Sequence, residues 1–234
     1  MIGANNFAIN DAANTANHPI NDSVLNDLRG LSHSKSTKQY PRGSVIFVEG
    51  EAPRGVYELC EGRAKISITS AEGRTLVLRV AHPGELLGIN ATLTGRPYRA
   101  TVKTLDKCRI DFIGREQFLE LLEKDKRAYA GVVRALSEKL SYVVEHTRLL
   151  FLSQSASEKF ARLLLSWCEH GVLTPNGIRI DMRLTHEELA QMICSSRETV
   201  TRLLTDLKQQ QILDAANNSI VIRNRKALEA MAKS

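Results

Sequence analysis

Cysteine is scarce in these 234 residues: four, at positions 60, 108, 168 and 194. None falls in a CxxC or CxxH spacing, which removes the local signature of a zinc site or an iron–sulfur cluster. Free, mostly buried thiols of a reducing compartment are the expectation. No stretch approaches the roughly 18 apolar residues that a membrane helix needs, so no membrane partner is expected. The N-terminus, MIGANNFAINDAANTANHPIN, lacks the basic and apolar regions of a secretory signal. Its asparagines and scattered alanines read as a mobile leader over residues 1–20. Also missing are a nucleophile elbow, an HExxH, a P-loop and a pair of catalytic acids, so nothing points to an enzyme. The expected location is the cytoplasm.

What is present is a globular composition, 43% hydrophobic and 25% charged, long enough for one or two domains. The net charge of +6 suits a polyanionic partner without requiring one. Eight of the 14 Gly and four of the 6 Pro fall between residues 41 and 97. They separate short β-prone runs such as SVIFVEG, YELCEG, RAKISITS and RTLVLRVA. Repeated strand-then-turn punctuation is how an antiparallel roll reads. In RAKISITS, Ala64, Ile66 and Ile68 alternate with Lys65, Ser67 and Thr69, as a half-buried strand should. The β-rich unit is placed within 21–114.

Residues 115–152 have one Gly, no Pro and a helical pattern. Tyr129, Val133, Leu136, Leu140, Val143, Thr147 and Leu150 follow one another at spacings of 4 and 3. That is a coiled-coil seam, which predicts a parallel homodimer helix. The competing reading packs this stripe on the β-unit instead. Val132, Leu149 and Phe151 lie off the seam and are expected to meet the β-unit.

The stretch SQSASEK suggests a boundary near residue 153, with Ser155 and Glu158 at capping-box spacing before the next helix. GVLTPNGIRIDMR and DAANNSIVIRNR read as hairpins. Between them lie two short helical patterns around a tight turn, a helix-turn-helix whose second helix enters the major groove. Thr185 and Glu188 signal the first start, Ser195 and Glu198 the second. Val200, Leu203, Leu204 and Leu207 would be buried, leaving Arg197, Glu198, Thr201, Arg202 and Thr205 outward. Arg offers a fork to guanine, Glu accepts from cytosine, and Thr suits a phosphate or a thymine methyl. The candidate face for double-stranded DNA is Thr185, Ser195, Ser196, Arg197, Glu198, Thr199, Thr201, Arg202, Thr205 and Lys208. Residues 153–234 carry 11 Lys/Arg and 9 Asp/Glu, a net +2, so nonspecific affinity is expected to be modest.

The string SSRETVTRLLTDLKQQQIL resembles the recognition helix of the cyclic-AMP receptor protein/FNR (Crp/Fnr) family of bacterial transcription regulators, and FLSQSASEKFARLLL resembles the family's hinge and first DNA-binding-domain helix. The resemblance covers about residues 20–232. It implies an α+β chain: a cyclic-nucleotide-binding-like jelly roll, a long dimerisation helix and a C-terminal winged helix-turn-helix, its wing tip at Asn217-Asn218. It also implies RNA polymerase as a partner, and base contacts by Arg197, Glu198 and Arg202 on TGTGA-like half-sites. Cys194 stands where the family usually has a turn Gly, leaving two readings: a tolerated small residue or a redox switch. The FNR-type N-terminal cysteine cluster is absent, which disfavours an iron–sulfur cluster. A different class, a cyclic-nucleotide-binding-type module regulating a protein partner, would not need the helix-turn-helix.

The resemblance also implies effector-pocket positions Gly88, Ile89, Asn90, Ala91, Arg99, Ala100, Tyr142 and Val143. Ile89 stands where cyclic-AMP binders carry the ribose carboxylate, and Ala100 replaces a hydroxyl beside Arg99. Gly84-Glu85 is four residues too early to supply that carboxylate. Either a modified site for a small anionic effector or a vestigial pocket remains. Each missing charge-assisted hydrogen bond costs on the order of 1.5–3 kcal/mol. Calorimetry is therefore expected to show no low-micromolar binding of cyclic AMP; a low-micromolar Kd would overturn this reading of Ile89 and Ala100.

Overall fold

The computed structural model describes residues 35–169, 171–181, 184–216 and 219–233. The expected leader and the wing tip Asn217-Asn218 lie outside the described residues. Eight strands build the first unit: β1 (Ser36–Tyr40), β2 (Val45–Phe47), β3 (Gly55–Glu61), β4 (Ala64–Thr69), β5 (Thr75–Ala81), β6 (Glu85–Leu87), β7 (Thr101–Thr104) and β8 (Cys108–Gly114). They form two antiparallel four-stranded sheets, ordered β1-β8-β3-β6 and β2-β7-β4-β5, the expected roll. A short helix, α1 (Ile89–Thr94), interrupts it.

Strand period explains the packing. On β8, Cys108, Ile110 and Phe112 face the inter-sheet core, and Ile113 faces the other way. The core is aromatic: Phe47 stacks on Tyr98 with centroids 4.0 Å apart, and Tyr57 tilts against Phe112 at 4.9 Å. The alternation expected along β4 breaks. Ser67 is buried along with Ala64, and the register shift at this point places its extra residue on β5, where Leu78 is skipped between the pairs Ile66–Arg79 and Ser67–Val77.

The helical stretch is two helices, α2 (Arg115–Lys124) and α3 (Lys126–Leu152). Asp125 separates them, in extended backbone conformation, and its carboxylate accepts from the N–H groups of Arg127 and Ala128 as the N-cap of α3. Val56, Leu86, Ile89, Ile113, Phe118 and Val132 form a second core between roll and helices. Leu149 belongs to the C-terminal core. Phe151 does not meet the roll as expected: it is 79% exposed, because two residues beyond Leu149 the helix has turned about 200°. The seam divides as well. Tyr129, Val133, Leu140, Val143 and Thr147 are exposed, while Leu136 and Leu150 are half-buried against the two neighbouring cores.

The C-terminal unit comprises α4 (Ala156–Cys168), β9 (Val172–Thr174), β10 (Gly177–Asp181), α5 (His186–Met192), α6 (Arg197–Gln209), β11 (Leu213–Ala216), β12 (Ser219–Ile222) and α7 (Arg225–Met231). Its sheet runs β11-β12-β10-β9, all antiparallel. Ser155 caps α4, but Glu158 reaches the N–H of Gln154 at 2.6 Å, one residue further back than a capping box requires. Leu140 is 66% exposed in this single chain, although burying a leucine is worth about 1.5–3 kcal/mol. Sedimentation is expected to give a particle of two 26.0 kDa chains, and Leu140→Glu is expected to weaken it. A monomeric wild-type chain at micromolar concentration would contradict the seam.

Candidate nucleic-acid interface

The first helix of the motif starts where its sequence signal places it. Thr185 Oγ1 accepts from the Glu188 N–H at 3.1 Å, and Glu188 Oε2 accepts from the Thr185 N–H at 2.9 Å, a complete capping box. Leu189, Ala190, Met192 and Ile193 are buried in the C-terminal core. The N–H of Ser195 donates to the Ala190 carbonyl at 2.9 Å and closes the turn. This puts Cys194 at φ +52°, the left-handed region that favours glycine, so the departure at 194 is accommodated in the backbone its glycine would adopt. The Cys194 side chain is exposed.

The second start is displaced by one residue from expectation. Ser196, not Ser195, is the N-cap of α6, accepting from the Thr199 N–H at 3.1 Å. Ser195 is instead a turn residue, because its own N–H is committed to Ala190. Val200, Leu203, Leu204 and Leu207 are buried as expected, and the opposite face carries Arg197, Glu198, Thr201, Arg202, Thr205 and Lys208, all exposed. Thr185 and Ser196 are exposed too, whereas Ser195 and Thr199 are half-buried. Hydrogen bonds from its own backbone N–H and from the Ser196 hydroxyl hold the Glu198 carboxyl below the usual range, so at neutral pH it is an acceptor. None of the ion pairs among the described residues involves Arg197 or Arg202, in contrast to Arg63, Arg79, Arg162, Arg223 and Arg225. Two exposed guanidinium forks beside a positive helix N-terminus are groups that can meet phosphates and base edges.

This face is tied to the roll. Lys65 Nζ on β4 reaches Glu188 Oε1 at 2.6 Å, Arg63 donates to the Asp181 carbonyl at 3.2 Å, and Val77 on β5 packs into the C-terminal core. The roll thus grips the carboxylate that caps α5. The sequence reading missed this contact, since nothing local marks residues 123 positions apart as partners.

The effector-pocket positions are not gathered into one cavity. Gly88 adopts φ +81° before α1, with the Tyr98 ring 3.0 Å from where a β-carbon would sit. Ile89 and Ala91 are buried in the cores, and Ala100 is half-buried. Asn90, Arg99 and Val143 are exposed. Arg99 follows Tyr98, which fills the roll interior and donates its hydroxyl to the Gly55 carbonyl at 3.1 Å. Tyr142 Oη donates to the Leu78 carbonyl at 3.2 Å, and burial pushes its pKa up to about 12. Beside it, Glu85 pairs with Arg79 at 2.5 Å, which gives that acid a structural role. Lys139 donates to the Leu86 carbonyl at 2.5 Å, and burial, then Arg79, push its pKa down to about 8. This polar junction of α3 with β5 and β6 also escaped the sequence reading. Two clefts open on the roll around Arg54 and Tyr57, and neither is lined by Arg99, Ala100 or Tyr142. Glu58, Cys60 and Asp111 converge within 4.8 Å, but the Lys35 ammonium already neutralises Glu58 at 2.5 Å.

Residues 37–125 match the model of the cyclic nucleotide-binding domain, and residues 158–231 that of the Crp-like helix-turn-helix domain. The chain is 29% identical over 217 residues to the global nitrogen regulator of Synechococcus elongatus, covering 88% of this chain and 96% of that protein. Among solved structures, a CRP-family transcriptional regulator from Thermus thermophilus superposes with a TM-score of 0.70 at 26% identity, covering 84% of this chain and 97% of the other. FixK2 from Bradyrhizobium japonicum shares the fold with a TM-score of 0.74 at 20% identity, covering 84% and 96% respectively.

Glu188 provides a pH test. Burial raises its pKa, but hydrogen bonds from Lys65 and Thr185 outweigh this and leave it below the ordinary glutamate range. A depressed folded-state pKa gives stability that is present at neutral pH and lost as pH falls through that value. Glu188→Gln is expected to cost about 1–2 kcal/mol at neutral pH, and the gap to narrow as pH falls below the ordinary glutamate range. Denaturant titrations of both proteins that show the same gap at pH 7 and pH 3 would contradict the ionised contact.

Proposed function

Because the chain belongs to the Crp/Fnr family of transcription regulators, we propose that it works in the cytoplasm as a homodimer whose two α6 helices read an inverted repeat. Three functional segments support this: the roll within 21–114, the dimerisation stretch 115–152 and the DNA-binding unit 153–234. The exposed seam on α3 from Tyr129 to Thr147 is the surface for the second copy. Arg197, Glu198 and Arg202 are assigned to base edges in TGTGA-like half-sites. Thr201 and Thr205 lie along the same groove, while Thr185, Ser195, Ser196, Thr199 and Lys208 serve the backbone or position the helix. The observation that carries the reading is the pair of exposed arginines, in none of the ion pairs among the described residues, on the outward face of a helix capped by Ser196. The DNA-bound dimer would then act on RNA polymerase.

Control by the roll is assigned to the contact of Lys65 with Glu188 and of Val77 with the C-terminal core. A small anionic effector or another signal that moves β4 and β5 would change how α5 is held. The outward Arg99 and the Tyr98-filled interior support a roll that does not hold cyclic AMP in this conformation.

Selection from a random oligonucleotide pool is expected to enrich two-fold symmetric sites with half-sites about one helical turn apart. Arg202→Ala is expected to cost about 1–3 kcal/mol and relax the preference at one base pair. Enriched sites without two-fold symmetry, or Arg197→Ala and Arg202→Ala variants that both select the wild-type sites, would overturn the assignment.

A further inference from the structure

Thr201, in the middle of the outward face of α6, differs from its neighbours in having its hydroxyl held from two sides. Its Oγ1 donates to the Arg197 carbonyl one turn back, at 2.9 Å, and lies 2.9 Å from Nδ1 of His186, the first residue of α5. A hydroxyl has one proton, and a carbonyl cannot donate. The assignment that satisfies both contacts has the Thr201 proton on the Arg197 carbonyl and the His186 Nδ1–H on Thr201 Oγ1. Thr205 shows the contrast. Among the described residues its hydroxyl bonds just to the carbonyl one turn back, at 2.9 Å, and can exchange that bond for a ligand.

The double engagement limits what Thr201 offers to DNA. With its proton committed, it cannot donate to guanine O6 or N7, adenine N7 or thymine O4, the acceptors of the major groove. What the exposed side chain retains is one oxygen lone pair, which can accept only from adenine N6 or cytosine N4, and its methyl group, whose apolar complement in the groove is the thymine C5-methyl. We propose that His186 is a positioning residue for specificity: by holding the Thr201 hydroxyl against the protein, it commits Thr201 to reading a thymine methyl. This rests on the DNA-binding reading above and adds a residue that lies outside α6. His186 is exposed, so the second ring nitrogen stays open to solvent or to phosphate.

Deoxyuridine differs from thymidine only in lacking that methyl, which makes the test direct. The full-length protein is titrated against duplexes carrying the selected site, with each thymine replaced in turn by deoxyuridine. One replacement per half-site is expected to weaken wild-type binding about threefold to fivefold, as for one buried methyl. Thr201→Ser, which keeps the hydroxyl and removes the methyl, is expected to abolish that discrimination. His186→Ala is expected to reduce it, and His186→Asn, which returns an N–H donor at the same distance from the backbone, to restore it. Thr201→Val is expected to keep the thymine-to-uracil ratio with or without His186, since no hydroxyl then needs holding. The proposal is overturned if no thymine discriminates in the wild type, if Thr201→Ser retains the discrimination, or if His186→Ala leaves it unchanged in a protein of wild-type melting temperature. A wild-type protein that selects no site at all would overturn the DNA-binding reading itself, whereas loss of the thymine effect alone, with Arg202→Ala still weakening binding, overturns only the role of His186.

Discussion

The carboxylate of Glu188 is engaged on both sides, and the arrangement of this molecule depends on it. One oxygen closes the capping box that starts α5; the other takes the Lys65 ammonium from the roll. Helix termini carry unsatisfied backbone groups, so a capping side chain fixes where a short helix begins. A seven-residue helix such as α5 has little stability of its own and takes its position from packing and from its cap. Tying that cap to β4 makes the orientation of the helix-turn-helix sensitive to the roll. Any displacement of β4 either carries α5 with it or leaves two charges without their partners. The same carboxylate therefore takes part both in local folding and in the contact between the two halves.

The roll shows how one side chain excludes another. Tyr98 occupies the aromatic centre, stacked on Phe47 and hydrogen-bonded to Gly55, and Arg99 next to it is left facing outward. The fold of a cyclic nucleotide-binding domain is present, while the effector-pocket positions expected from the resemblance are dispersed between core and surface. Polar side chains have been placed instead at the junction with α3, where Arg79, Glu85, Lys139 and Tyr142 make charged and hydrogen-bonded contacts. The charged and polar contacts of this domain lie at its boundary with α3, and its interior is aromatic.

Much of this was legible in the residues, for identifiable reasons. Glycine and proline spacing announced the roll because turns need those backbones, and the 4–3 spacing announced α3 because side chains on one helix face must recur at that interval. The Thr185–Glu188 capping box was readable because its partners are three residues apart. Ser195 was mistaken for the cap of α6 because two serines stand side by side, and only the turn hydrogen bond to Ala190 distinguishes them. The bulge at Leu78, opposite Ile66–Ser67, and the break at Asp125 were hidden, since each interrupts a pattern that continues through it in the sequence. The contacts of Lys65 with Glu188 and of His186 with Thr201 join separate elements, and no periodicity encodes them.

In the proposed assembly a two-fold dimer presents its two α6 helices to one DNA duplex. Native mass spectrometry of the protein with a duplex carrying its selected inverted repeat tests it most directly. Two chains per duplex, with binding lost when one half-site is scrambled, is the predicted result. One chain per duplex, or unchanged binding to the scrambled half-site, would contradict it.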